Sequence, residues 1–236
     1  MCIRDRYTPG NGILELRQEI VKKLKEDNGV EYALNEVTTA VGAKQAIASA
    51  MMVIAGPGDE VLLPIPCWVS YTEMIRLAGA TPVFVPVRED NYELDLDAIE
   101  QAITPRTKAI IICTPNNPTG AVYSKESLRK LAALAVAHDF FIVADEIYEK
   151  LVYGGEKHIS IASLPGMKER TITLNGFSKC YSMTGWRLGY AAAPVEFIKA
   201  MVRVHQYINT CAASFVQEAG ITALEKAEPD VQEMVQ

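Results

Sequence analysis

Lys108-Ala109-Ile110-Ile111-Ile112-Cys113, followed by Thr114-Pro115-Asn116-Asn117-Pro118-Thr119-Gly120, is the stretch from which the fold can be read. Ala109 to Cys113 is an unbroken apolar run rich in β-branched residues. It is too short for a helix and lacks the alternation of a half-wetted strand, so it reads as a strand buried on both faces. The Pro, Asn and Gly residues that follow close it with a polar turn. The same kind of segment recurs on either side. Residues 37–41, 60–64, 81–87, 140–144, 171–174 and 188–192 predict further strands. Between them, 13–26, 43–54, 69–78 and 96–103 predict helices, and Ser124 predicts the N-cap of one reaching 137. Leu16, Ile20, Val21 and Leu24 supply the apolar face of the first. Buried strands alternating with helices imply an α/β fold, a mostly parallel sheet with helices on both faces.

Composition agrees. The chain has 236 residues, 49% hydrophobic and 22% charged, with a formal charge of −6. That is enough apolar surface for a sizeable core and argues against disorder. The acidic balance argues against nucleic acid, which needs a basic face. The longest apolar stretch, 46–55, is too short to cross a bilayer, and residues 1–10 have no signal-peptide core. Five cysteines, Cys2, Cys67, Cys113, Cys180 and Cys211, are scattered and include no C-x-x-C pair, and the three histidines form no ligand cluster. Neither a disulfide scaffold nor a metal site is expected, and a cytoplasmic enzyme is.

There is no G-x-G-x-x-G and no P-loop. Three other segments stand at the ends of expected strands. One is the Asn116–Asn117 turn already quoted. Another is Ala144-Asp145-Glu146-Ile147-Tyr148. The third is Asn175-Gly176-Phe177-Ser178-Lys179-Cys180-Tyr181-Ser182-Met183-Thr184-Gly185-Trp186-Arg187-Leu188-Gly189-Tyr190, where a lysine precedes an arginine by eight positions. Ligands of open α/β sheets collect at the carboxyl ends of strands, so the three segments can converge.

Together these motifs resemble the class I and II aminotransferases, the fold-type I pyridoxal-phosphate enzymes, from Tyr7 to about Leu224. The S-K-x-x-x-x-T-G-W-R-x-G signature around Lys179 is highly specific, and P-N-N-P-T-G with D-E-x-Y reinforces it. The resemblance implies that Lys179 holds pyridoxal 5'-phosphate as a Schiff base and acts as general acid–base, in a desolvated site. Asp145 would pair with the pyridinium nitrogen, with Glu146 as a structural neighbour. Asn117 and Tyr148 would donate to the cofactor's phenolate oxygen. Arg187, Ser178 and the N–H groups of Gly42-Ala43-Lys44 would take the phosphate. Where many members carry a second serine, Gly176 stands here, which implies one phosphate contact fewer. Trp68 would stack on the ring. Alone, each of these residues would read as a turn, core or surface position.

Tyr7, opening Tyr7-Thr8-Pro9-Gly10-Asn11-Gly12, implies a homodimer with shared active sites, since the family's tyrosine there reaches the neighbouring subunit's phosphate. Residues 1–6 read as a non-native leader, 7–193 as the cofactor-binding large domain, and 194–236 as a helix leading away and the start of a truncated part. The chain is therefore expected to be a fragment whose small domain, with its substrate-carboxylate arginine, is largely missing. Pro66-Cys67-Trp68-Val69-Ser70-Tyr71 and Ile103-Thr104-Pro105-Arg106-Thr107-Lys108 resemble the bacterial aspartate aminotransferase branch. Transamination between aspartate and a 2-oxo acid such as 2-oxoglutarate is the expected activity. A β-lyase or decarboxylase on the same cofactor, or the aminotransferase-like sensor domain of a regulator, are the alternatives.

Overall fold

A computed structural model describes residues 7–235; the expected leader at 1–6 lies outside them. The chain runs α1 (Leu14–Asn28), β1 (Val37–Ala40), α2 (Gly42–Ile54), β2 (Glu60–Ile65), α3 (Ser70–Leu77), β3 (Thr81–Pro86) and α4 (Leu96–Ala102). It continues β4 (Thr107–Cys113), α5 (Lys125–Ala137), β5 (Phe141–Asp145), β6 (Thr171–Gly176), β7 (Gly189–Ala192), α6 (Val195–Ile208), α7 (Ser214–Lys226) and α8 (Glu228–Val235). The seven strands form one sheet in the order β1-β7-β6-β5-β4-β2-β3. All pairings are parallel except those of β7, which runs antiparallel to both β6 and β1. The mostly parallel sheet expected from the strand pattern is what forms.

The apolar run of β4 is buried on both faces because its side chains alternate between two helical layers. Ala109, Ile111 and Cys113 join the core under α2 and α3, while Ile110 and Ile112 join the core under α4 and α5. A third cluster gathers Leu16, Ile20 and Leu24 of α1 with Val216 and Ala223 of α7 against Tyr190 and Ala192. Ser124 caps α5 as expected, its hydroxyl accepting from the Ser127 N–H at 3.2 Å.

The end of the chain is helical, in α6, α7 and α8. The helix predicted to lead away is α6, and it lies along α2 with Ile198 and Met201 in the core; Glu196, Lys199 and Arg203 on its outer face are exposed, as is its last turn with Tyr207 and Ile208. Its apolar spacing of three gives it a face to bury, and burial outweighs an extended course. The next helix, α7, lies on α1. Its buried Gln217 accepts from the Ile13 N–H at 2.8 Å and donates to Thr8 Oγ1 and the Ala212 carbonyl, both at 2.8 Å. Among the described residues no helix is long and apolar enough to cross a membrane.

Candidate active site

The carboxyl ends of β1, β2, β4, β5 and β6 reach the same edge of the sheet, and a cavity of about 310 Å³ opens there. That is at the lower end of the range of about 300–1,000 Å³ usual for small-molecule sites. Ala43, Lys44, Trp68, Asn117, Asp145 and Tyr148 line it, together with Ser178, Lys179 and Arg187. Residues separated by as many as 144 positions in sequence are thus brought to one place.

Asp145 ends β5 and is 4% exposed. Its Oδ2 accepts from the Tyr71 hydroxyl at 2.6 Å and its Oδ1 from the Ile147 N–H at 3.2 Å. Burial raises its pKa to about 6 despite these bonds, because a carboxylate stripped of water favours its neutral form. Among the described residues no cation comes within ion-pair distance of it. Asn117, in the turn after β4, donates from Nδ2 to the Tyr148 hydroxyl at 3.3 Å. Burial also raises the Tyr148 pKa, so the phenol stays protonated at neutral pH.

The loop between β6 and β7 carries Ser178, Lys179 and Arg187. It closes on the Gly176–Gly189 register pair and on the bond from Phe177 N–H to the Leu188 carbonyl at 3.2 Å. Ser182 and Arg187 both adopt left-handed backbone, at φ 52° and 57°. Such conformations cost about 1 kcal/mol or more each without glycine and gather where geometry matters more than comfort. Arg187 is turned so that its guanidinium lies against Gly42, which opens α2 at φ 80° with no room for a side chain. Its Nη1 also donates to the Thr184 carbonyl at 2.7 Å. Gly42, Ala43 and Lys44 are the first residues of α2, so their N–H groups have no partner within the helix, and the helix dipole adds positive potential.

Gly189 brings β7 against the Gly42–Ala43 backbone, which seats that helix start beside the arginine. Gly176 is packed backbone to backbone, a Cβ there meeting Gly189 Cα and the Leu188 carbonyl at 2.9 Å. A serine therefore does not fit at this position in the present backbone.

Trp68 is half-buried, with the Lys44 ammonium 4.7 Å above its ring and Tyr71 edge-on at 5.3 Å. Lys179 Nζ stands 5.5 Å from the Tyr148 ring centre. Lys179, Thr184 and Arg187 form an exposed side of the cavity, because the β6–β7 loop is its rim. Tyr7 is 87% exposed and does not line the cavity of its own chain.

Four lining residues were not singled out from sequence, namely Ile47, Tyr71, Ile147 and Thr184. Tyr71 carried a usable signal, since a tyrosine three positions after Trp68 in a helical segment shares its face.

Glu146 turns the other way. Its Oε2 accepts from Asn28 Nδ2 at 3.2 Å and lies 3.3 Å from His158 Nε2. Glu146, Glu149 and His158 bring potential metal-ligand atoms together. Lys23, however, already donates to Glu149, and Asn28 Nδ2 donates to the other oxygen of Glu149 at 2.7 Å. This cluster holds its own cation.

The family described as aminotransferase class I and II matches residues 3–236. An aspartate aminotransferase of Geobacillus stearothermophilus is 47% identical over 233 residues, covering 98% of this chain and 59% of that protein. The aromatic-amino-acid aminotransferase 2 of Thermococcus litoralis is 47% identical, covering 97% and 60%. Among solved structures, an aromatic aminotransferase from Pyrococcus horikoshii superposes with a TM-score of 0.95 at 45% identity, covering 98% of this chain and 63% of its own. An aspartate aminotransferase from Thermus thermophilus with maleate gives 0.92 at 44% identity, covering 98% and 59%. The chain thus spans about three fifths of the length of these relatives.

Proposed function

Since the chain belongs to the class I and II aminotransferases, we propose that its cavity binds pyridoxal 5'-phosphate and serves transfer of an amino group between an amino acid and a 2-oxo acid. The observation that carries this reading is the carboxylate of Asp145, buried with no cation in ion-pair distance among the described residues, in a cavity whose rim bears Arg187. A ligand that fits must bring a positive charge to the first and a negative charge to the second. Pyridoxal phosphate does both, with a ring nitrogen that takes a proton, a phosphate, and an aldehyde for which Lys179 supplies the amine. When bound, it draws electrons from the substrate α-carbon and so lets the α-proton leave.

The chain's own residues then have separate tasks. Asp145 holds the proton on the ring nitrogen. Arg187, Ser178 and the N–H groups of Gly42, Ala43 and Lys44 anchor the phosphate, the guanidinium and the helix terminus both favouring an anion. Asn117 Nδ2 and the Tyr148 hydroxyl, already bonded to one another, donate to the phenolate oxygen. Trp68 would stack on the ring, a contact worth about 1 kcal/mol that mainly orients it. Lys179 Nζ carries the proton from the substrate α-carbon. Aspartate as donor and 2-oxoglutarate as acceptor are favoured, supported by relatives named aspartate aminotransferase.

A homodimer follows from the same reading. Tyr7 is a large aromatic left in solvent and away from its own cavity, as a residue serving a second subunit's phosphate would be.

Borohydride reduction of the cofactor-loaded protein, followed by peptide mapping, tests the central assignment, with a pyridoxyl adduct expected on Lys179. An adduct elsewhere, or none with intact protein and ample cofactor, defeats it. Adding aspartate should bleach the cofactor absorbance and release oxaloacetate, whereas pyruvate and ammonia would assign a lyase instead.

A further inference from the structure

We propose that Tyr71 is a positioning residue for the cavity, its hydroxyl fixing the orientation and charge of Asp145 while its ring holds Trp68, so that two cofactor-facing groups are set by one side chain. The proposal rests on the cofactor reading above and adds to it a residue that touches none of the reacting atoms. Tyr71 lies in the first turn of α3, and its N–H donates to the Trp68 carbonyl at 3.1 Å. The two rings meet edge to face at 5.3 Å, with 89° between their planes. The Tyr71 side chain is wholly buried in the core beneath α2 and α3, so its ring has one seat. From that seat the hydroxyl reaches Asp145 Oδ2 at 2.6 Å, while the Ile147 N–H holds Oδ1. One donor on each oxygen fixes the plane of the carboxylate.

The contact also decides charge. The groups facing Asp145 are Tyr71 from α3, Cys113 from β4, Glu146 and Tyr148 from its own turn, and Lys179 from the loop after β6. Burial and Glu146 favour the neutral acid, while Tyr71, the Ile147 N–H and Lys179 favour the carboxylate. The outcome is an acid near 6, ionised at neutral pH by a narrow margin. Tyr71 is a dependable donor, since burial and then the charge of Asp145 push its phenol well above the ordinary value. Taking away a hydroxyl that bonds a buried carboxylate raises that acid's midpoint by about one unit or more. A phenylalanine would fill the same core volume, so packing alone predicts no such shift.

The test is a carbon NMR titration of the aspartate carboxyls in the cofactor-free chain, the Asp145 signal being identified by its loss in Asp145→Asn. The unaltered protein should titrate near 6, as burial of this acid implies. Tyr71→Phe should move the midpoint up by about one unit or more, and so lower affinity for pyridoxal phosphate at pH 7 by about twofold or more, with recovery by about pH 9. In the unaltered protein the Tyr71 Cζ resonance should follow Asp145 with a shared midpoint, a measurement that does not depend on the variant folding. An unmoved Asp145 midpoint in Tyr71→Phe, or a Tyr71 Cζ signal indifferent to the Asp145 titration, overturns the proposal. A shifted midpoint with no cofactor binding by either protein upholds the Tyr71–Asp145 contact and defeats the cofactor reading instead.

Discussion

Asp145 and Glu146 are consecutive, both buried, and lead to opposite sides of the sheet. Asp145 meets Tyr71 of α3 and a cavity; Glu146 meets Asn28 of α1 and a closed group of charges. In that group Lys23 pairs with Glu149, Asn28 bridges both, and His158 approaches Glu146. For His158, burial works against the charge, but the Glu146 and Glu149 carboxylates outweigh it and raise the imidazole pKa. For Glu149, burial likewise works against ionisation and Lys23 outweighs it. Two carboxylates with cations beside them make structure. One carboxylate with no cation beside it among the described residues makes a site, because a ligand can bring the balancing charge.

Substitutions on the two sides should act in opposite directions. The largest effect is expected from Glu149→Gln, which strands the Lys23 ammonium in the interior and should cost about 3–5 kcal/mol in denaturant unfolding. A loss well below this would mean that Asp27, 3.8 Å from Lys23, already suffices. Asp145→Asn should do the reverse in the cofactor-free chain. Asp145 has its pKa raised from 3.8 to about 6, so the folded state holds the proton more tightly. Its stabilising contribution is full below 3.8 and lost as pH rises through about 6, on the order of 3 kcal/mol across that window. Asparagine should remove this slope and leave the protein more stable at pH 7, while weakening cofactor binding. A stability–pH curve that Asp145→Asn leaves unchanged would erase the contrast.

Gly176→Ser probes the wall of the cavity. Forcing a side chain against Gly189 and the Leu188 carbonyl should destabilise by about 1–3 kcal/mol, without tightening phosphate binding. Tighter binding at unchanged stability would show that the backbone can yield there. The smallest effect is expected from His158→Gln. A raised histidine pKa gives stability that is complete below the unfolded value of 6.5 and fades as pH climbs past the folded one. The variant should therefore flatten the alkaline side of the stability profile, and an unaltered slope above 6.5 would put the imidazole outside the charge group.

Much of the fold was legible because burial on both faces leaves a plain mark, an unbroken apolar run such as 109–113 between helical spacings. Site residues were legible where motif neighbours lie close in sequence, as Ser178, Lys179 and Arg187 do. Tyr71 was harder, since nothing local shows that its hydroxyl ends at a carboxylate 74 positions away. The course of α6 and the seat of α7 were hidden for a related reason. Periodicity says that a helix has a face to bury but not which surface receives it.

Local pattern alone therefore determined that this is a parallel α/β chain with a lysine, an aspartate and an arginine at strand ends. Only the folded molecule decided the strand order, the place of Lys179 at the rim, the fit of Arg187 against Gly42, and which buried carboxylate lacks a cation among the described residues. The physical reason is one of range. Hydrophobic spacing is written within a few residues, whereas charge balance is settled by groups such as Lys23 and Glu149, 126 positions apart, that meet only in the tertiary structure.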